Sequence, residues 1–138
     1  MLNNPYRAYQ TNQVFTLPQE KLVLMLYDGL LRFCREGLTG IQAKDYEKAH
    51  ESLIRAQEIL AELMAGLNFE AGEIAQRLYQ LYEFMHRHLI QANIKKDAGM
   101  IREVIDLLQD LRDTWEEATR RYHSHDYRTR VNGLDVQR

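Results

Sequence analysis

Apolar residues along the chain recur mainly at spacings of three and four, the period of amphipathic helices. Thr16-Leu17-Pro18-Gln19 matches a capping box, so a first helix is expected from there to about Leu38, with Gly37 and Gly40 as stop signals. Asp45 is placed to cap a second helix, whose seam is Tyr46, Ala49, Leu53, Ala56, Leu60, Leu63 and Leu67. Gly66 and Gly72 bracket its exit. A third helix is expected from about Ala71 to Ile94, with Ile74, Leu78, Leu81, Tyr82, Met85, Leu89 and Ala92 on one face. Asp97 then caps a fourth, whose face is Ile101, Val104, Ile105, Leu108, Leu111, Trp115 and Ala118 and which is expected to fray near Tyr122.

Both prolines lie in the first 18 residues, so the rest contains no obligatory helix breaker. Connections of a few residues make successive helices antiparallel. The expected fold is all-α: an antiparallel up-down four-helix bundle over residues 17–122, preceded by an irregular N-terminal leader (1–16) and followed by a flexible C-terminal tail (123–138).

A bundle helix needs one apolar stripe, and the first helix carries more. With about 3.6 residues per turn, Leu22, Leu26, Leu30 and Phe33 share a face, read here as core, while Leu24, Leu31 and Leu38 point well away from it. Met25, Tyr27 and Cys34 fill the angles between. Ile54, Tyr79, Phe84, Ile90, Met100 and Leu107 are surplus on the other helices. Together they suggest a surface for another chain's amphipathic helices. Two competing readings remain: the leader, through Tyr6, Tyr9, Val14 and Phe15, covers the surplus, or a structural homodimer closes it by self-association.

Composition removes other classes. Hydrophobic residues make up 45% of 138 and charged residues 28%, with a formal charge of -2, which offers no global attraction for nucleic acid. No apolar run approaches the ~20 residues of a membrane span, and the first residues carry no secretory signal pattern. The single cysteine, Cys34, cannot close an intramolecular disulfide, and a cytoplasmic location fits best.

The most tempting chemistry is a pair of Glu-x-x-His motifs, Glu47 with His50 and Glu83 with His86, the spacing used by di-metal carboxylate bundles. Both glutamates point about 150° from their apolar stripes, where no metal in the core can reach them. His86 and His88 diverge on their helix, and His123 and His125 are a weak pair in the tail. No nucleophile elbow, phosphate loop or CxxC motif occurs. No cofactor, metal site or catalytic residue is expected.

Asn4-Pro5-Tyr6-x-x-Tyr9-x-x-Asn12-x-Val14-x-Thr16, followed by Met25-Leu26-Tyr27-Asp28-Gly29, resembles the flagellar secretion chaperone FliS family. Leu89-Ile90-Gln91-Ala92-Asn93 with Asp97, and Glu103-Val104 through Leu107-Leu108, Leu111 and Trp115, resemble the end of that family's third helix and its fourth. The resemblance spans about residues 4 to 118. One departure is Pro18, a residue earlier than the family's usual Ser-Pro, with Leu17 where a capping Ser is common.

The resemblance implies a cytosolic, non-enzymatic chaperone. It would bind the disordered C-terminal region of flagellin, prevent premature polymerisation and aid delivery to a component of the flagellar export gate. By the geometric argument the client-facing residues are Leu24, Met25, Leu31, Ile54, Tyr79, Phe84, Ile90 and Leu107. Tyr6, Tyr9 and Val14 would cap a groove or, as the resemblance suggests, act near the export gate.

Overall fold

A computed structural model of the chain describes the backbone of residues 20–137 and the side chains of residues 20–121. It contains helices α1 (Glu20–Gln42), α2 (Tyr46–Ala65), α3 (Glu73–Lys95) and α4 (Ala98–Gln137), with a single 3-10 turn at Phe69–Ala71. The four-helix bundle is thus the observed fold, without strands among the described residues. The leader expected over 1–16 and the capping box at Thr16–Gln19 lie outside the described residues.

Each helix packs against its chain neighbours, and α1 closes the ring against α4. Cross-helix contacts fix the directions. Gly29 meets Ile59 while Gly40 meets Ala49, and Asp28 meets Arg112 while Arg35 meets Gln109, so α1 runs antiparallel to both α2 and α4.

The caps follow from sequence. The Asp45 carboxylate accepts from the Lys48 amide, and Asp97 accepts from the Met100 amide, each satisfying a donor that lacks a partner within its helix. Gly72 precedes α3 with φ of +88°, a conformation that favours glycine. Lys44 and Lys96 adopt left-handed conformations in the two other turns.

Gly37 and Gly40 do not stop the first helix, which continues to Gln42. Both are buried where α1 crosses α2. A Cβ on Gly40 would lie 2.8 Å from the Ala49 nitrogen, and one on Gly37 2.7 Å from Leu53 Cδ2. These glycines serve close backbone approach. The fourth helix likewise does not end near Tyr122: α4 extends to Gln137. No proline interrupts it, and Arg120 and Arg121 pair one turn back with Glu116 and Glu117, supporting the helix where the fraying was expected.

The core consists of Val23, Tyr27, Leu30, Leu31, Cys34 and Ile41 from α1, the predicted seam of α2 except Tyr46, Tyr82, Met85, Leu89 and Ala92 from α3, and Ile101, Val104 and Leu108 from α4. On α1 the buried stripe is rotated from the expected one. Leu22 is 43% exposed, and Leu26 and Phe33 are half-buried. At helix ends Tyr46 and Ile74 are also exposed, as is Ala118 on α4, while Ala75 takes a buried place on α3.

Two hydroxyls inside the core explain the rotation. Tyr27 and Tyr82 are fully buried, and their phenolic oxygens lie 2.5 Å apart in a hydrogen bond. The Trp115 ring meets Tyr27 edge-on, and its indole nitrogen donates to the Glu20 carbonyl. A tyrosine enters a core when its hydroxyl finds a partner. That partner stands on another helix, 55 residues away.

Candidate functional site

Surplus apolar side chains surround this core, and the structure distributes them over several faces. Met25 is 68% exposed on α1, and Ile54, Tyr79, Phe84 and Leu107 each expose more than a third of their surface. Leu24 and Ile90 are half-buried. Leu31 is not part of this surface. It lies within the core at 3% exposure, because α1 packs between α2 and α4 and buries a wider arc than one stripe. The proposed leader residues Tyr6, Tyr9 and Val14 lie outside the described residues.

Three of the grooves between neighbouring helices carry exposed apolar residues. The first lies between α1 and α2. Leu22, Leu26, Gly29 and Phe33 share one side of α1, and Gly29 meets Ile59 across the junction. Phe33 lies beneath the Arg32 guanidinium at 4.6 Å and the Arg55 guanidinium, from α2, at 5.9 Å. The sequence reading missed Leu22, Leu26 and Phe33 as surface, having assigned them to the core stripe. A signal was present: Met25 and Leu22 stand one turn apart on a helix with too many leucines for one face.

The α2–α3 face holds Ile54, Ile90 and Tyr79, and the Tyr79 ring packs against Phe69 with centroids 5.8 Å apart. Phe69, 50% exposed, was also missed, because it belongs to the connection and to no helical stripe. At the opposite end of this face His50 Nδ1 lies 2.9 Å from Asn93 Nδ2, and Asn93 Oδ1 accepts from Lys96. The nearly buried Asn93 is therefore satisfied on both sides of its amide. Here the exposed His50 serves as a hydrogen-bond partner of Asn93.

Between α3 and α4, Phe84 stacks on His88 at 4.9 Å, and His88 Nε2 lies 2.7 Å from Glu103 Oε2. One turn back along α3 and one turn forward along the antiparallel α4 bring Phe84 and Leu107 level with each other. Leu81 and Met100 form half-buried floor positions.

Glu47 and Glu83, the first residues of the two Glu-x-x-His motifs, are exposed on the outer surface. Among the described residues no group of three His, Cys, Asp or Glu side chains could hold a metal ion. Cys34 is fully buried, and burial pushes its thiol up to about 12, against a small opposing effect of the Arg35 charge. That thiol is no nucleophile near neutral pH. A polar cluster centres on Arg112, whose Nε donates to Asp28 while its terminal nitrogens reach Asp113 and Glu116. The hydrogen bond to Asp28 leads in raising the guanidinium above its ordinary range. It ties α4 to α1 and leaves no open site.

Comparison with known proteins identifies the family of the chain. The sequence pattern describing the flagellar protein FliS matches residues 2–122. The chain belongs to the FliS family. It is 44% identical over 117 residues to the flagellar secretion chaperone FliS of Bacillus subtilis (strain 168), covering 85% of this chain and 87% of that one. The Campylobacter jejuni protein of the same name is 36% identical, over 85% of this chain and 93% of its own. A crystal structure of a flagellar chaperone from bacteria has the same fold, with a TM-score of 0.71 at 19% identity, covering 85% of this chain and 96% of that one. This FliS-family chain is a flagellar export chaperone, and its family is not one of enzymes. No helix among the described residues is long and apolar enough to cross a membrane.

Proposed function

We propose that this chaperone acts in the cytosol on the disordered C-terminal segment of flagellin, keeps it from polymerising, and hands it to a component of the flagellar export gate. The observation that carries the reading is the ring of exposed apolar side chains around a closed, fully satisfied core. A folded bundle with no buried polar side-chain atom left unpaired among the described residues has no internal need for Met25, Ile54, Tyr79, Phe84 and Leu107 at its surface. Membership of the FliS family supports flagellin as the client.

The physical mechanism is coupled folding and binding. Amphipathic client helices would lay apolar faces into the grooves, removing apolar area from water at roughly 25 cal/mol per Å². Ordering the client offsets much of that gain, leaving a reversible complex suited to release. Leu24, Met25, Ile54, Tyr79, Phe84, Ile90 and Leu107 are the proposed contacts, with Leu22 and Phe33 added from their positions on α1. Leu31 supports them from the core. Tyr6, Tyr9 and Val14 remain proposed for covering a groove or for the export gate.

Titration calorimetry with a peptide covering flagellin's C-terminal region tests the reading. Saturable binding near one-to-one with a negative heat-capacity change is the expected result. A folded chain that ignores the peptide, or one whose apolar faces are closed in a stable homodimer, overturns it.

A further inference from the structure

The α4 flank of the α3–α4 groove is rich in carboxylates, and this specifies the kind of helix the groove accepts. On α4, Met100, Glu103, Leu107 and Asp110 recur at spacings of three and four, so they share the side that faces the α3–α4 groove. Asp106 lies one turn from Asp110 along the same flank. All three carboxylates are exposed, and no Lys or Arg occurs on α4 between Glu103 and Leu111, although the exposed Arg102 stands one turn before Asp106. Glu103 is engaged by His88, whereas Asp106 and Asp110 form no ion pair among the described residues. Across the groove stand Leu81 and Phe84, with Arg77 held one turn back by Glu73. The α1–α2 groove carries both signs: its aromatic residue, Phe33, lies under Arg32 and Arg55, but Arg32 pairs with Glu36, and Glu58 and Glu62 are exposed on α2.

We propose that the α3–α4 groove is a docking site for an amphipathic helix of a partner protein whose apolar face seats on Phe84, Leu107, Leu81 and Met100 and whose α4-side flank is basic. The argument is charge complementarity. Apolar contact supplies the attraction without direction, while Asp106 and Asp110 reward Lys or Arg on one flank and repel Asp or Glu there. The inference rests on the chaperone reading above and adds which chemistry the α3–α4 groove selects.

The test uses the full chain and two synthetic amphipathic helices of about 18 residues, five turns, with one apolar face in common. One carries Lys along the flank and the other Glu. Binding is followed by fluorescence anisotropy at low and high salt. The Lys-flanked peptide is expected to bind about tenfold more tightly than the Glu-flanked one, an advantage that salt erases. The double variant Asp106→Lys with Asp110→Lys is expected to reverse the preference, and Leu107→Asp to weaken the Lys-flanked peptide at any salt. Should the charge-reversed variant melt early, Asp106→Asn with Asp110→Asn replaces it and removes the preference without reversal.

Equal affinity for the two peptides overturns the proposal, as does a preference that survives changes at both aspartates. Flagellin's C-terminal peptide is titrated alongside. If it binds while the designed helices are not discriminated, the charge selection fails and the chaperone reading stands. If it does not bind while the Lys-flanked helix is selected, the groove assignment stands and the client is wrong.

Discussion

Tyr27 and Tyr82 show how a single pair organises the molecule's centre. Each hydroxyl is the other's partner at a fully buried site, so removing one leaves the second buried and unpaired, at a cost of about 1–3 kcal/mol. Tyr27→Phe or Tyr82→Phe alone is therefore expected to destabilise more than half as much as both together, and urea melts of the three variants measure the coupling. The same burial produces a pH dependence. Burial, partly opposed by the hydrogen bond to Tyr82, pushes Tyr27 up from 10 to about 12. Burial chiefly raises Tyr82 as well, with the neighbouring Tyr27 adding to it. An acid whose pKa is raised on folding stays protonated in the native state while the unfolded chain ionises. Stability is thus full below pH 10 and falls as pH rises through 12. Thermal melts at successive alkaline pH values should show that decline, flattened in the double phenylalanine variant. Seen from the sequence, Tyr27 was only an apolar residue between two stripes, since nothing local to Met25-Leu26-Tyr27-Asp28 reveals a partner on α3.

At the scale of elements, the caps of α2 and α4 and most of the seams of α2, α3 and α4 were legible because each depends on residues near in sequence. Asp45 accepts from an amide three residues on, and Ala49, Leu53, Ala56, Leu60 and Leu63 needed only the helical period. Where a helix meets two partners, period alone failed. Glycine has low helix propensity, so Gly37 and Gly40 read as terminators, yet the contact with α2 selects them. Two substitutions separate these influences. Gly29→Ala adds a Cβ at an ordinary 3.5 Å from Ile59 Cδ1 and is expected to stabilise by about 0.5–1 kcal/mol through helix propensity. Gly40→Ala places its Cβ 2.8 Å from backbone of α2, which cannot yield without the helices parting. It is expected to destabilise by about 1–3 kcal/mol despite the same gain in propensity. Chemical denaturation of both variants checks the opposite signs; two gains would mean that the α1–α2 approach is looser than described.

For the whole molecule, the sequence indicated more apolar surface than a bundle core requires, and the structure decides which residues supply it. Met25 and Leu31 illustrate the division. Both stood among the proposed contacts, but one is 68% exposed and the other 3%. A domain with a net stability of about 5–15 kcal/mol tolerates a carboxylate in water and does not tolerate one sealed among Val23, Tyr27 and Leu30 without a partner. Met25→Asp is therefore expected to keep the helical signal and a cooperative melt close to the parent while weakening the flagellin peptide several-fold. Leu31→Asp is expected to lose cooperative melting itself, so that any loss of binding reports unfolding. The comparison separates scaffold from surface on one helix, using the same substitution six residues apart. If Met25→Asp binds the peptide as tightly as the parent, α1 contributes no contact there and the client is held by the α2–α3 and α3–α4 faces. If Leu31→Asp melts like the parent, the position is not sealed and the assignment of α1's buried arc is wrong.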